Sequence, residues 1–330
     1  MKAGPSTNLA PIQLGHGPNI VIPSQSAKGH GVSAPYLWLP KGANHASNPK
    51  LVFGGSMRLF NCACHAQGFM AQAVFAPADG AGAPPLPPAS GGAVPASVLD
   101  DLAAASRILA QQGVFDAFGH ISIRHPTNPK RFLMSRSLAP ALVTADDIME
   151  FDLDCEACEA RGRSGFLERF IHGEIYKLRA DVNCVVHSHS PSVVPFSLVG
   201  APMRAMYHNA AFLAQGVPVF DISEKFGATD MLVGNHAKGA ELARVLADKP
   251  VALMRAHGSV AVGPSLQHGV FRAIYTEVNA RLQIQAATLT GAFGGSIAAL
   301  SAEEGALADA VNLNVVSRPW ELWKERALKG

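Results

Sequence analysis

Three histidines and one glutamate have the residue types and spacing that could do chemistry. In Cys184-Val-Val-His187-Ser-His189-Ser-Pro191 a short apolar run meets two histidines two apart and ends in proline. A run of that kind bounded by turn residues predicts a buried strand, and alternation along it puts His187 and His189 on one face. Proline cannot donate to a ladder, so the strand stops there and both imidazoles stand at its end. A second apolar run, Val251-Ala-Leu-Met254, leads into Arg255-Ala-His257-Gly258, where glycine lets the backbone bend around a ligand. Three neutral imidazoles leave positions open on a divalent ion, as in a catalytic rather than a structural site. Zinc is the first expectation for that one ion, and manganese, cobalt and iron also suit three imidazoles. Glu168 supplies a carboxylate able to act as acid or base.

The elements that must position these groups alternate between strands and helices. Residues 1–95 are rich in Gly, Pro, Ser and Ala; they are expected to be poorly ordered, with a linker over 80–92. Met57 and Met70 read as possible alternative starts of translation. A domain is expected over 96–300, opening on a helix with Ser97 as N-cap that ends at Gly113. Strands follow at 120–124, 131–135 and 148–153, with Thr144 capping a short turn. A helix over 166–179, with Phe170, Ile175 and Leu178 inward, would hold Glu168 in its first turn. Beyond it come strand 182–187, a helix from Ser190-Pro191, strand 217–222, a helix over 237–246 and a long helix over 266–289. Ser301-Ala-Glu-Glu304 opens a C-terminal helical tail, 301–330, as a capping box. Trp320 and Trp323, three apart, share a helix face there, either docked on their own domain or packed against a neighbouring subunit.

Composition narrows the partners. Charged residues make up 16% and the net charge is +2, so no nucleic-acid-binding face is announced. No apolar run reaches the ~18–20 residues of a membrane span. Five cysteines in a chain this large do not make a disulfide framework, which favours the cytoplasm. Cys155-Glu-Ala-Cys158 and Cys62-Ala-Cys64-His65 lack a second pair at zinc-finger spacing and are read as structural.

Three ordered segments, Glu168-Arg-Phe-Ile-His172, Ala180-Asp-Val-Asn-Cys-Val-Val-His-Ser-His189 and Arg255-Ala-His-Gly258, resemble the metal-binding and catalytic segments of the class II aldolase/adducin superfamily. The resemblance covers roughly 95–300. It implies His187, His189 and His257 as metal ligands, Glu168 as the catalytic carboxylate, and a homotetramer with its active site near the subunit interface. The alternating pattern and the resemblance both fit an α/β fold, a three-layer α/β/α sandwich around a mixed, largely antiparallel sheet.

The reaction is a separate question, because one such site serves several chemistries. Where aldolases of the superfamily bind a sugar phosphate, this chain has Phe118-Gly-His120, Ser135-Arg-Ser137 and Phe166-Leu167. Aromatic and apolar surface there suits a flat ring, and an arginine fork from Arg136 or Arg163 suits its carboxylate. These segments, with Met206-Tyr-His208, are most similar to the branch of metal-dependent hydroxyaromatic carboxylate decarboxylases. That implies a carbon–carbon lyase decarboxylating an ortho-hydroxylated, dihydroxyphthalate-like aromatic carboxylate through a metal-stabilised enolate. Glu168 is the expected proton donor, with His208 or Tyr207 as a second acid and His120, Ser135, Arg136, Arg163 and Phe166 against the substrate. An aldolase or epimerase of a small hydroxy-carbonyl or sugar-type compound is the alternative. A non-enzymatic adducin-like scaffold would have no need of the three histidines and the glutamate.

Overall fold

The computed structural model describes residues 86–329. The expectations for Cys62–His65, Met57, Met70 and the first part of the linker lie outside the described residues. Seven strands form one sheet: β1 (His120–Arg124), β2 (Arg131–Ser135), β3 (Ile148–Asp152), β4 (Cys184–Ser188), β5 (Val219–Phe220), β6 (Val251–Met254) and β7 (Gly258–Gly263). Their spatial order is β3-β2-β1-β4-β7-β6-β5. Every pair is antiparallel except β5 with β6, which is parallel. The sheet is therefore mixed and largely antiparallel, as the sequence implies.

Helices cover both faces. On one side α1 (Ala96–Gln111), α5 (Leu266–Phe293) and α7 (Ser317–Lys329) bury Leu102, Ile108, Val270, Ile274, Trp320 and Trp323 against Ile121, Val186 and Ala261. On the other, α2 (Arg169–Leu178) and α4 (His236–Leu246) bury Ile171, Ile175 and Leu242 against Phe132, Val185 and Val262. Neighbours in one strand, such as Val185 and Val186, thus enter opposite cores, and their strand reads as an unbroken apolar run. A short α3 (Ile222–Phe226) and α6 (Ala302–Asn312) complete the fold. The capping box forms at Ser301 and Glu304 as the sequence predicts.

Several local expectations are corrected. Helix α1 starts at Ala96 behind Pro95, with no side-chain cap from Ser97. Helix α2 starts three residues late, so Glu168 is its N-cap residue. Leu178 is exposed, and the inward stripe is Ile171, His172, Ile175 and Tyr176. No α-helix follows Ser190-Pro191. The hydroxyl of Ser190 donates to the buried Glu277 carboxylate of α5 (2.6 Å), as does Ser192 N–H (3.2 Å), and only a 3-10 turn over Val194–Ser197 forms. The predicted strand 217–222 shortens to two residues. Trp320 and Trp323 dock on their own domain, Trp323 6.1 Å from Tyr275 of α5. Ser90 and Gly91, on the linker side, donate to Glu150 of edge strand β3 at 2.6 and 2.5 Å.

Candidate metal centre and its cleft

The centre is built where β4, β7 and α2 meet. His187 lies in β4, paired with His120 of β1 and Val260 of β7, and His189 follows just past the strand end. His257 comes from the tight turn between β6 and β7. There Ala256 takes φ +53°, a left-handed conformation that costs a non-glycine residue energy. A Cβ on Gly258 would stand 2.0 Å from the Ser188 carbonyl oxygen. Only glycine lets β7 start this close to the end of β4, and that closeness brings His257 to His189.

The donor atoms of Glu168, His187, His189 and His257 all lie within 4.8 Å of one another. His189 Nε2 is 3.1 Å from the Nε2 atoms of both His187 and His257. Glu168 Oε2 is 3.5 Å from each of those two rings, while its Oε1 accepts Val233 N–H at 2.9 Å. On the far side of the rings, Nδ1 of His187 faces the Ser259 carbonyl and Nδ1 of His257 the Met231 carbonyl, both at 3.1 Å. Carbonyls only accept, so they fix the Nδ1–H tautomer and leave both Nε2 lone pairs aimed inward. Lone pairs and a carboxylate converging this closely repel one another unless a cation sits among them. The four donors therefore fit a divalent ion on their chemistry alone.

Electrostatics agree. Burial lowers His189 to about 4, helped by His187 and His257, so it stays neutral. Burial pushes the Glu168 carboxyl up, and positive charge at the His187 and His257 edge outweighs it and pulls the group well below the usual range. With both rings protonated at Nδ1, that charge is the ion's to supply, and beside it Glu168 is ionised.

A cleft of about 600 Å³ opens on the centre. His120, Phe166, Glu168, His187 and His189 line it with Phe118, Ser137, Leu138 and Leu167. Phe166 lies 4.6 Å from the His120 ring, and Phe118 and Leu167 are largely exposed at the cleft. No lysine or arginine lines it among the described residues.

The structure separates the other predicted site residues from this cleft. Arg163 donates to the carbonyls of Asp146 (2.8 Å) and Ile148 (3.1 Å) and lines a different pocket, so it clamps a loop. Arg136 pairs with Asp147 at 2.6 Å. Ser135 is buried in β2 opposite Ile148. The arginine fork is thus not assembled. Tyr207 packs 6.2 Å from Tyr275, and His208 lines a shallow pocket with Leu300, Glu304 and Leu307. Neither lines the cleft of its own chain. Cys155 and Cys158 are free, and burial lifts their thiols to about 12 and about 11, as in packed cysteines rather than a redox pair.

Sequence reasoning missed His172. It is fully buried, 2.8 Å from His120 and 2.6 Å from the Ser122 hydroxyl, which in turn meets the Tyr176 hydroxyl at 2.8 Å. Two signals pointed to it: His172 lies four residues after Glu168, and Ser122 shares a strand face with His120.

The family description "Class II Aldolase and Adducin N-terminal domain" matches residues 100–284. Decarboxylase tropJ of Talaromyces stipitatus is 36% identical over 235 residues, 66% of this chain and 88% of that protein. The 3,4-dihydroxyphthalate decarboxylase of Arthrobacter keyseri is 32% identical over 212 residues, 60% of this chain and 82% of that one. Among solved structures, L-fuculose 1-phosphate aldolase from Glaciozyma antarctica PI12 superposes with a TM-score of 0.59 at 23% identity, covering 74% of this chain and 94% of that one.

Proposed function

The chain belongs to the class II aldolase and adducin family, and we propose that within it the protein is a metal-dependent lyase decarboxylating an ortho-hydroxylated aromatic carboxylate. The observation that carries this reading is the cleft. Its walls are Phe118, Phe166, Leu138 and Leu167, and it opens on the Glu168 carboxylate beside three imidazoles. A flat ring fits such walls, and they offer no cation to a sugar phosphate. Two relatives above 30% identity are named decarboxylases, one of them for 3,4-dihydroxyphthalate.

His187, His189 and His257 would hold one divalent ion, zinc in the first instance. When bound it supplies Lewis-acid polarisation of a substrate oxygen, lowering that oxygen's pKa and bearing returned charge. Phe166 and Phe118 orient the ring. Glu168 starts ionised and therefore acts first as a base, taking the ring-hydroxyl proton at Oε2 while Val233 N–H holds Oε1. It returns that proton to the ring carbon bearing the carboxylate, and the ring oxygen becomes a ketone. The bond to the carboxylate then breaks, CO2 leaves, and its electron pair restores the aromatic ring and its phenolate, which takes a proton from water on release. Tyr207 and His208 can join this chemistry only from a neighbouring copy, consistent with a homotetramer whose site lies near the interface.

The test is CO2 release from a panel of ortho-hydroxylated aromatic mono- and dicarboxylates by protein loaded with zinc, manganese, cobalt or iron. Release that stops with chelator and returns with the ion is expected. Silence across the panel, with the ion demonstrably bound, would refute the reading.

A further inference from the structure

The buried polar line beside the centre runs from the cleft through His120, His172 and Ser122 to Tyr176. Each contact holds one hydrogen, so the line donates toward the cleft, donates away from it, or turns both His172 and Tyr176 on the Ser122 oxygen. That last arrangement leaves the Ser122 proton in the core with no acceptor among the described residues. Tyr176 decides. Burial pushes its phenol well above the ordinary value, so it keeps its proton. Among the described residues Ser122 Oγ is the acceptor beside that hydroxyl, since the Val185 N–H that also faces it only donates. Were Ser122 to donate to it, the phenol proton would lie in the core without an acceptor, which native cores avoid. Tyr176 therefore donates to Ser122, Ser122 to His172 Nδ1, and His172 Nε2–H to His120 Nδ1. The His120 proton is left on Nε2, which has no protein partner among the described residues, on a ring that lines the cleft.

We infer that His120 presents a fixed, neutral N–H donor to the cleft, and that Ser122, His172 and Tyr176 are positioning residues holding it in that tautomer. This rests on the aromatic-acid reading and deepens it. With no lysine or arginine lining the cleft among the described residues, the side-chain donors it offers an oxygen include this N–H and the Ser137 hydroxyl. The ligand they select is a ring carrying an acceptor oxygen there, a carboxylate above all. A neutral donor orients a carboxylate without a countercharge to hold its charge in place, which suits a group leaving as CO2. A ligand presenting N–H or O–H at that point meets donor with donor and is rejected. The opposite polarity would aim a His120 lone pair at the cleft and offer a further imidazole to the ion.

Imidazole tautomers are read directly by long-range proton–nitrogen NMR on the histidine-labelled full chain loaded with zinc, without substrate. His120 and His172 are each expected protonated at Nε2 and bare at Nδ1; a His120 protonated at Nδ1 overturns the inference. In Ser122→Ala both tautomers should appear at His172 and His120, and a His120 locked as before would show that the line does not set it. His120→Leu should raise KM for the aromatic acid roughly three- to tenfold, one neutral hydrogen bond, at unchanged zinc content. Loss of zinc in that variant would place His120 among the ligands and overturn the inference. A wrong tautomer in an active decarboxylase sinks this inference alone. The expected tautomer in a protein that releases no CO2 sinks the functional reading alone.

Discussion

Two groups of histidines stand side by side at one end of the sheet, and opposite rules govern them. His120 and His172 sit in a line of hydrogen bonds in which every contact pairs a donor with an acceptor. His187 and His257 have turned acceptors toward His189 and toward Glu168. His120 and His187 are register partners on β1 and β4 and both are buried, so burial alone does not assign a ring to its group. What differs is what lies behind each ring. Backbone carbonyls behind His187 and His257 consume their protons and leave a deficit of positive charge, whereas Ser122 and Tyr176 behind His172 close the line. The first group is incomplete without an ion; the second is complete as protein.

The sharpest way to break this contrast is His189→Ala, which should abolish turnover and drop metal content far below one ion per chain; full occupancy by elemental analysis would remove His189 from the set. Glu168→Gln keeps the three imidazoles, so it should retain the ion while kcat falls on the order of 10²–10⁴-fold. Near-normal turnover in that variant would refute its acid–base role. His172→Leu should act on the other group. It leaves the ion in place but strands His120 Nδ1 and the Ser122 hydroxyl in the core, costing about 1–3 kcal/mol by urea denaturation. A metal-free His172→Leu protein would show that the two groups are one.

Acid tests the same contrast without a mutation. In the ion-free protein His120 and His172 lie well below the ordinary imidazole value, through burial first, and His189 lies at about 4. Unfolded imidazoles titrate near ~6.5, so between there and about 4 the unfolded chain binds more protons than the folded one. Stability must fall as pH is lowered through that window, by up to roughly 1.4 kcal/mol per pH unit for each fully buried ring, and by less for the partly solvated His189. A urea midpoint independent of pH across the window would show the rings already protonated in the folded state.

The metal-candidate residues were legible because their signals are local. Alternation and a proline stop placed His187 and His189 together, and a histidine before glycine marked the turn that carries His257. Strands β1 and β2 were legible residue for residue for the same reason. What stayed hidden depends on distant partners. The carboxylate of Glu277, 87 residues from Ser190, decides that no α-helix follows Pro191. Arg163 looked like a substrate fork because arginine suits carboxylates, yet the carbonyls of Asp146 and Ile148 claim it. His172 stayed hidden because nothing local says that Ser122 and Tyr176 stand behind it.

The docked helix α7 also sets a schedule for biosynthesis. Lys324 bonds Asp101 of α1 across 223 residues, and Trp320 and Trp323 share a core with Leu102 and Ile108. A ribosome adding about 5–20 residues per second needs roughly 11–45 s to cover that distance. Throughout that interval the apolar face of α1 waits without its last cover. Nascent chains are therefore most exposed to chaperones and proteases after α1 has emerged and before the two tryptophans arrive, and a stop codon ahead of Trp320 would make that vulnerable state permanent.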